Sequence, residues 1–309
     1  MEKIIEMKNK NISLKVIPNI GASVYSFKIR TKMQDYDIFY PTLRENIKKE
    51  NYFSLSSFNL IPYSNRIKSG VLKYNGQKYF LDKNEDNKNA IHGEVFNEKF
   101  KIINADETSI DMIFDSSNST DISWPFPFQA GVSYQLLSKS LKISLFVKNT
   151  GSKKMPVGMG IHPYLNRYIT SDSEKIEVDL PLKGYYPGKG QIPDKGWEPL
   201  DEKYKTLKSG IFSTKYLDRC FLINPKKDIS FHWLNSDLKL TFQVDDIFKH
   251  LVIYRPKEKT ELFAVEPVTN ANDGFNLAER GIKDTGLLEI EPNEKIDGNI
   301  IINLDGNLL

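Results

Sequence analysis

Leu141-Lys142-Ile143-Ser144-Leu145-Phe146-Val147 places an apolar side chain at 141, 143, 145 and 147. Successive side chains of a strand point to opposite faces, so this spacing describes a strand with one face in a core. The same period runs through Ile12, Leu14 and Val16, then Tyr25, Phe27 and Ile29, then Ile110, Met112 and Phe114. It returns at Leu238, Leu240, Phe242 and Val244. Turn chemistry separates such runs. Asn75-Gly76 stands between Val71-Leu72-Lys73-Tyr74 and Gln77-Lys78-Tyr79-Phe80. Both residues tolerate positive φ, which predicts a tight hairpin. Ser138-Lys139-Ser140 predicts another, between Tyr134-Gln135-Leu136 and Leu141-Lys142-Ile143. Helical periodicity is confined to a short helix within 43–52 and a single turn at 277–280. Many short strands joined by turns describe an all-β sandwich or barrel. Gly184 to Trp197 is rich in Gly and Pro and reads as a surface loop that helps wall a cleft. With no linker and no repeat, residues 1–309 are expected to form one domain.

Composition narrows the function classes. The net charge is +3 over 309 residues, and the basic residues are scattered or paired, as at Lys153-Lys154 and Lys226-Lys227. Nucleic-acid binding calls for a concentrated basic face, and none is expected here. Cys220 is the sole cysteine, which leaves no intramolecular disulfide and no cysteine-based zinc site. It reads as a small buried hydrophobe. No apolar run reaches signal-peptide or membrane-span length, so a cytoplasmic location without membrane attachment is expected.

Two residues stand out as chemistry. His162 lies in Gly160-Ile161-His162-Pro163-Tyr164, and Glu266 in Leu262-Phe263-Ala264-Val265-Glu266-Pro267. A residue before proline is pushed into extended backbone, which predicts both at strand ends. An imidazole and a carboxylate held this way form an acid/base pair. Glu266 is in phase with Leu262 and Ala264, and a carboxylate on an apolar face calls for a partner or a function. His232 and His250 lack such a setting and read as structural or surface residues. Asn65-Arg66-Ile67 adds a guanidinium whose planar fork suits oxygen recognition. Ile91-His92-Gly93 adds an imidazole beside a glycine that permits close backbone approach. Asp218, in Tyr216-Leu217-Asp218-Arg219, reads alone as a turn residue. No close-spaced ligand motif, phosphate loop, dinucleotide fingerprint or serine-nucleophile elbow occurs.

Taken in order, these pieces resemble the aldose 1-epimerase, or galactose mutarotase-like, family along nearly the whole chain. Ile20-Gly21-Ala22 with the following strand is similar to its N-terminal motif. Asn65-Arg66-Ile67 with Gly70 and the Asn75-Gly76 hairpin resembles its Asn-Arg segment, and Ile91-His92-Gly93 its His-Gly motif. Gly160 to Leu165 resembles a His-Pro-Tyr form of the second histidine motif, and Tyr216-Leu217-Asp218 the sugar-binding aspartate segment. Glu266-Pro267 with Asn272-Asp273-Gly274-Phe275-Asn276 resembles the glutamate motif, and Gly286 to Pro292 the closing strand.

The resemblance implies a large antiparallel β-supersandwich. It implies interconversion of sugar anomers without metal or organic cofactor, on a small-molecule sugar. Glu266 is then the general base and His162 the general acid, while Asn65, Arg66, His92 and Asp218 hold the substrate. Ile161 before His162, and Arg219 after Asp218, depart from the galactose-pathway pattern. Alternative readings are a hexose-6-phosphate or acidic-sugar 1-epimerase and a non-catalytic carbohydrate-binding protein on the same fold. A glycoside hydrolase on Asp218 and Glu266 fits poorly, because it has no use for two histidines.

Overall fold

The computed structural model describes residues 3–308. Its frame is two large sheets of eleven and nine strands, with antiparallel pairing between neighbours. The opening stretch lies in the strand Ser140–Asn149, whose residues alternate between buried and half-buried along its whole length. It pairs with Phe128–Leu136 on one side and Lys295–Gly306 on the other, in the middle of the nine-stranded sheet. The predicted hairpin joins Val71–Tyr74 to Gln77–Phe80, with Asn75 at φ 50° and Gly76 at φ 72°.

The sheets pack face to face. Phe263, Val265, Ile253 and Phe221 of the eleven-stranded sheet share one apolar cluster with Phe231, Trp233, Leu240 and Ile143 of the other. Phe263 meets Phe231 with ring centres 5.5 Å apart. That cluster runs from Met7 to Leu304. The opposite face of the eleven-stranded sheet carries a second, smaller cluster that includes Phe58, Cys220 and Val252.

Helix is sparse. Arg44–Lys48 falls within the expected segment. Gly274–Glu279 begins before the single turn predicted from Leu277. Glu202–Lys208 is a helix that the sequence reading missed. Only Tyr204 and Leu207 are buried on it, an i, i+3 pair too short to display a period. Among the described residues, no helix is long and apolar enough to cross a membrane.

The strand-end placement of His162 and Glu266 is corrected. His162 is the third residue of Gly160–Asn166, and Glu266 the fifth of Leu262–Val268. Both strands continue through their prolines. A proline removes one ladder donor without ending an extended backbone.

Candidate active site

The strands Gly160–Asn166 and Leu262–Val268 are neighbours, with Gly160 opposite Val268 and Tyr164 opposite Ala264. That register sets His162 directly across from Glu266. Strand N–H groups alternate sides. Tyr164 N–H donates to Ser56 O on the outer neighbour, and Thr269 N–H donates to Met159 O across the seam. The nitrogens of Pro163 and Pro267 therefore both point into the seam, and neither carries a hydrogen. Ladder pairing lapses between Gly160/Val268 and Tyr164/Ala264. The same alternation makes His162 and Glu266 a non-hydrogen-bonded pair, the kind whose side chains lie closer. Their atoms Nε2 and Oε1 are 3.2 Å apart. Gly160 keeps the seam narrow, since a Cβ there would lie 2.7 Å from Pro267 O.

The pair is deeply buried, with His162 4% and Glu266 1% exposed. The His162 ring stacks on Phe58 at 4.5 Å and meets the edge of His92 at 5.1 Å. Burial, helped by the charge of Arg66, pushes His162 down to about 3. Burial and the Asp218 charge raise Glu266 well above the usual carboxylate range, with Arg66 opposing. Each group resists carrying its charge alone, so the pair titrates as a unit that holds one proton between two atoms in contact. Glu266 Oε2 has no partner among the described residues, and neither has His92 Nδ1. Buried polar atoms rarely stay unpaired, and such exceptions favour a site for ligand.

Two short strands bring the remaining groups in. Arg66–Ile67 pairs with Ala90–Ile91. Asn65 and His92 close this small ladder in left-handed backbone, φ 53° and 67°, and His92 N–H donates to Asn65 O at 3.0 Å. Gly93 must be glycine: at φ 78°, a Cβ would lie 2.1 Å from Ile61 O. Burial, then His162 and Arg66, drive His92 well below the usual imidazole range. The Arg66 fork donates from Nε to Glu85 Oε1 at 2.8 Å and from Nη1 to Asn65 Oδ1 at 3.1 Å. Its Nη2 lies 2.7 Å from Glu85 Oε1 and 3.6 Å from Asp218 Oδ2.

Asp218 sits inside the strand Leu217–Ile223 rather than in a turn. It pairs with Tyr254, which pairs with Ala264, which pairs with Tyr164, so all four share one row and one face. Burial raises the Asp218 carboxyl, and Arg66 and Arg219 oppose that rise.

All six sequence-predicted residues line one cavity of about 290 Å³, with Tyr164, Gln191, Tyr216 and Tyr254. That is the small end of ligand sites, roughly 300–1,000 Å³. Gln191 comes from the Gly- and Pro-rich loop expected to wall a cleft, and its carbonyl accepts from Asn272 Nδ2 at 2.8 Å. The sequence reading missed Glu85, Tyr164, Gln191, Tyr216 and Tyr254. The i, i+2 relations of Tyr164 to His162 and of Tyr216 to Asp218 are the available signals.

Cys220 lies buried with its thiol pushed up to about 12 by burial, in the role of a small hydrophobe. His250 is also buried, with Nδ1 2.7 Å from Thr269 O and Nε2 2.9 Å from the Tyr186 hydroxyl. Among the described residues, no three His, Cys, Asp or Glu side chains gather as a metal site.

Known proteins share this frame. The galactose mutarotase-like protein of Clostridium acetobutylicum superposes with a TM-score of 0.85 at 21% identity, covering 99% of this chain and 96% of that one. The GalM/aldose epimerase homologue of C. elegans gives 0.82 at 15% identity, covering 99% of each. At such identities the likeness speaks for the fold. The uncharacterized protein YihR of Escherichia coli K12 is 35% identical over 129 residues, 41% of each chain. YphB of the same organism is 24% identical over 147 residues, 47% of each. The match thus spans less than half the length of these curated relatives. The sequence profile of aldose 1-epimerases, by contrast, matches residues 3–303. The chain belongs to the aldose 1-epimerase family and has its galactose mutarotase-like β-supersandwich fold.

Proposed function

We propose that the protein interconverts the α and β anomers of a hexose by acid/base ring opening and reclosure. The carrying observation is the His162–Glu266 pair, two buried groups with Nε2 and Oε1 3.2 Å apart that face a sugar-sized cavity. In the working tautomer Glu266 is a carboxylate and His162 an imidazolium. Glu266 takes the proton of the anomeric hydroxyl, and His162 gives its proton to the ring oxygen. The C1–O5 bond breaks as the C1–O1 bond becomes a carbonyl. The open aldehyde turns about C1–C2. Reclosure returns the proton from O5 to His162 and the proton of Glu266 to O1. The pair ends as it began, so no net proton enters or leaves.

The pKa shifts favour the neutral tautomer in the empty pair, so the working ion-pair tautomer is the higher in energy and the more reactive once formed. A histidine that resists protonation is a strong acid once protonated, and a carboxyl that resists ionisation is a strong base once ionised. The direct Nε2–Oε1 contact lets the empty pair exchange tautomers. Arg66, Asn65 and His92 present donors to sugar oxygens, Asp218 accepts from hydroxyls, and Tyr164 and Tyr254 offer apolar faces to the ring. A purely sugar-binding role leaves a buried, proton-sharing pair without a purpose. The test is anomer exchange followed by polarimetry or NMR on a panel of free sugars. Catalysed exchange supports the reading; sugar binding without exchange overturns it.

A further inference from the structure

The stretch Asn272-Asp273-Gly274-Phe275-Asn276 has no part in the acid/base cycle, yet Asn272, Asp273 and Asn276 are all buried. Asp273 stands one residue before the helix Gly274–Glu279, in the N-cap position. A cap aspartate normally accepts from the first backbone N–H groups of its own helix. The Asp273 side chain does not. Its backbone is left-handed at φ 53°, and Oδ1 accepts from Lys68 N–H at 2.9 Å and from Asn276 Nδ2 at 2.7 Å. Its own N–H donates to Arg66 O at 2.7 Å. One residue thus grips the chain at Arg66 and again two residues on.

Asn270 grips the same segment just ahead of Arg66. Its Oδ1 accepts from Ser64 N–H at 3.1 Å and from the Ser64 hydroxyl at 3.0 Å, and its Nδ2 donates to Ser64 O at 3.1 Å. Asn65 and Arg66, which line the sugar cavity, are therefore held between Ser64 and Lys68. The holding segment follows directly on Leu262–Val268, the strand that carries Glu266. So the backbone from which the guanidinium springs is tied to the same element as the base. Glu85 fixes the far end of that side chain, and Asp273 fixes its root. Asp273 itself lines a different cavity from the sugar's, so it works through Arg66 rather than on the sugar. Small displacements of an orienting group are costly, which gives such a tie its effect.

We propose that Asp273 is a positioning residue for Arg66, whose carboxylate and N–H set where the guanidinium meets the sugar relative to Glu266. The proposal rests on the reading of Arg66 as a sugar-holding group, and not on the exchange of anomers.

Three variants of the whole chain test it. Asp273→Gly removes the carboxylate and suits the left-handed backbone, while Asp273→Asn keeps an acceptor in the same place. Lys68→Pro deletes the donor instead, and serves if Asp273→Gly does not fold. Lys68 opens a helical turn after the extended Ile67, a position that takes proline. NMR hydrogen exchange at the Arg66 Nε–H, which donates to Glu85, reads the placement without any sugar. It should quicken at least about tenfold in Asp273→Gly and in Lys68→Pro, the worth of one hydrogen bond to a charged group. In Asp273→Asn it should stay within about threefold of wild type. Calorimetric titration with glucose and galactose gives the second readout. Asp273→Gly should weaken whichever sugar the wild type binds about tenfold, and cost nothing further in an Arg66→Met background. An equal loss in both backgrounds overturns the proposal, and so does unchanged affinity in Asp273→Gly. Unaltered Arg66 Nε–H exchange in both Asp273→Gly and Lys68→Pro overturns it as well. A wild type that binds neither sugar, while the Nε–H loosens as stated, keeps the positioning of Arg66 and defeats its sugar-holding reading. Sugar binding without anomer exchange keeps the proposal and defeats the epimerase reading.

Discussion

His162 and Glu266 stand opposite each other on neighbouring antiparallel strands, and each is followed by a proline whose nitrogen turns into the seam between them. The seam lacks two donors beside the pair. Ladder pairing across this seam lapses between Gly160/Val268 and Tyr164/Ala264, the stretch that holds the pair.

Restoring one donor is informative. Pro267→Ala supplies an N–H that can bond across the seam, offsetting the unfolded-state entropy that proline removes. Thermal unfolding should change by less than about 1 kcal/mol. Anomer exchange should fall about tenfold as the seam tightens around Glu266. Unaltered exchange would show that the missing donors have no bearing on catalysis.

Glu85 holds the Arg66 fork without reaching the paired His162 and Glu266. Glu85→Gln should leave Arg66 drawn toward Asp218. Steady-state kinetics should show KM rising about tenfold with kcat nearly unchanged, the signature of lost uniform binding. A fall in kcat at constant KM would place Glu85 in the chemistry instead.

His250 gives a pH dependence independent of the active pair. Its folded pKa is lowered to about 4, by burial first, from an ordinary value of 6.5. The stability it contributes is present above pH 6.5 and is lost as pH falls toward 4. Between pH 7 and 5 the wild type should lose about 2 kcal/mol relative to His250→Gln. Denaturant unfolding of both proteins at the two pH values measures this, and parallel behaviour contradicts it.

The exchange rate should have a broad plateau in pH. His162 accepts a second proton for the pair only below the ordinary imidazole range, because its pKa is depressed. The pair gives up its last proton only above the ordinary carboxylate range, because Glu266 is raised. Both limbs belong to the pair rather than to one residue, so either single variant should displace both. A wild-type rate that halves near pH 6.5 on the acid side contradicts this placement of His162.

The strands were legible because their periodicity is local. Leu141 to Val147 and the Asn75-Gly76 hairpin can be read within a few residues, and the structure has them where expected. The cavity residues carried by motifs were legible too: Asn65, Arg66, His92, His162, Asp218 and Glu266 all line one space. What escaped is non-local. Glu85 meets Arg66 across nineteen positions with nothing periodic between them. Tyr254 reaches the site only through the register of three strands. Reading Pro163 and Pro267 as terminators was wrong, because a sequence does not show toward which neighbour a proline nitrogen points. Arg167 and Arg255 look like ordinary surface cations until the fold places them on one phenylalanine.

The most direct measurement is the anomer-exchange rate of wild type, Glu266→Gln, His162→Asn and the double variant, by NMR magnetisation exchange on a sugar the wild type turns over. Each single variant should be slower by at least about a hundredfold, the lower end of positioned acid/base catalysis. The double variant should be little worse than either single one, because the two groups act as a unit. Sugar affinity should stay within about tenfold, since the proposed hydroxyl contacts of Arg66, His92 and Asp218 are untouched. Wild-type exchange rates in both single variants would contradict the account and leave a sugar-binding role in its place.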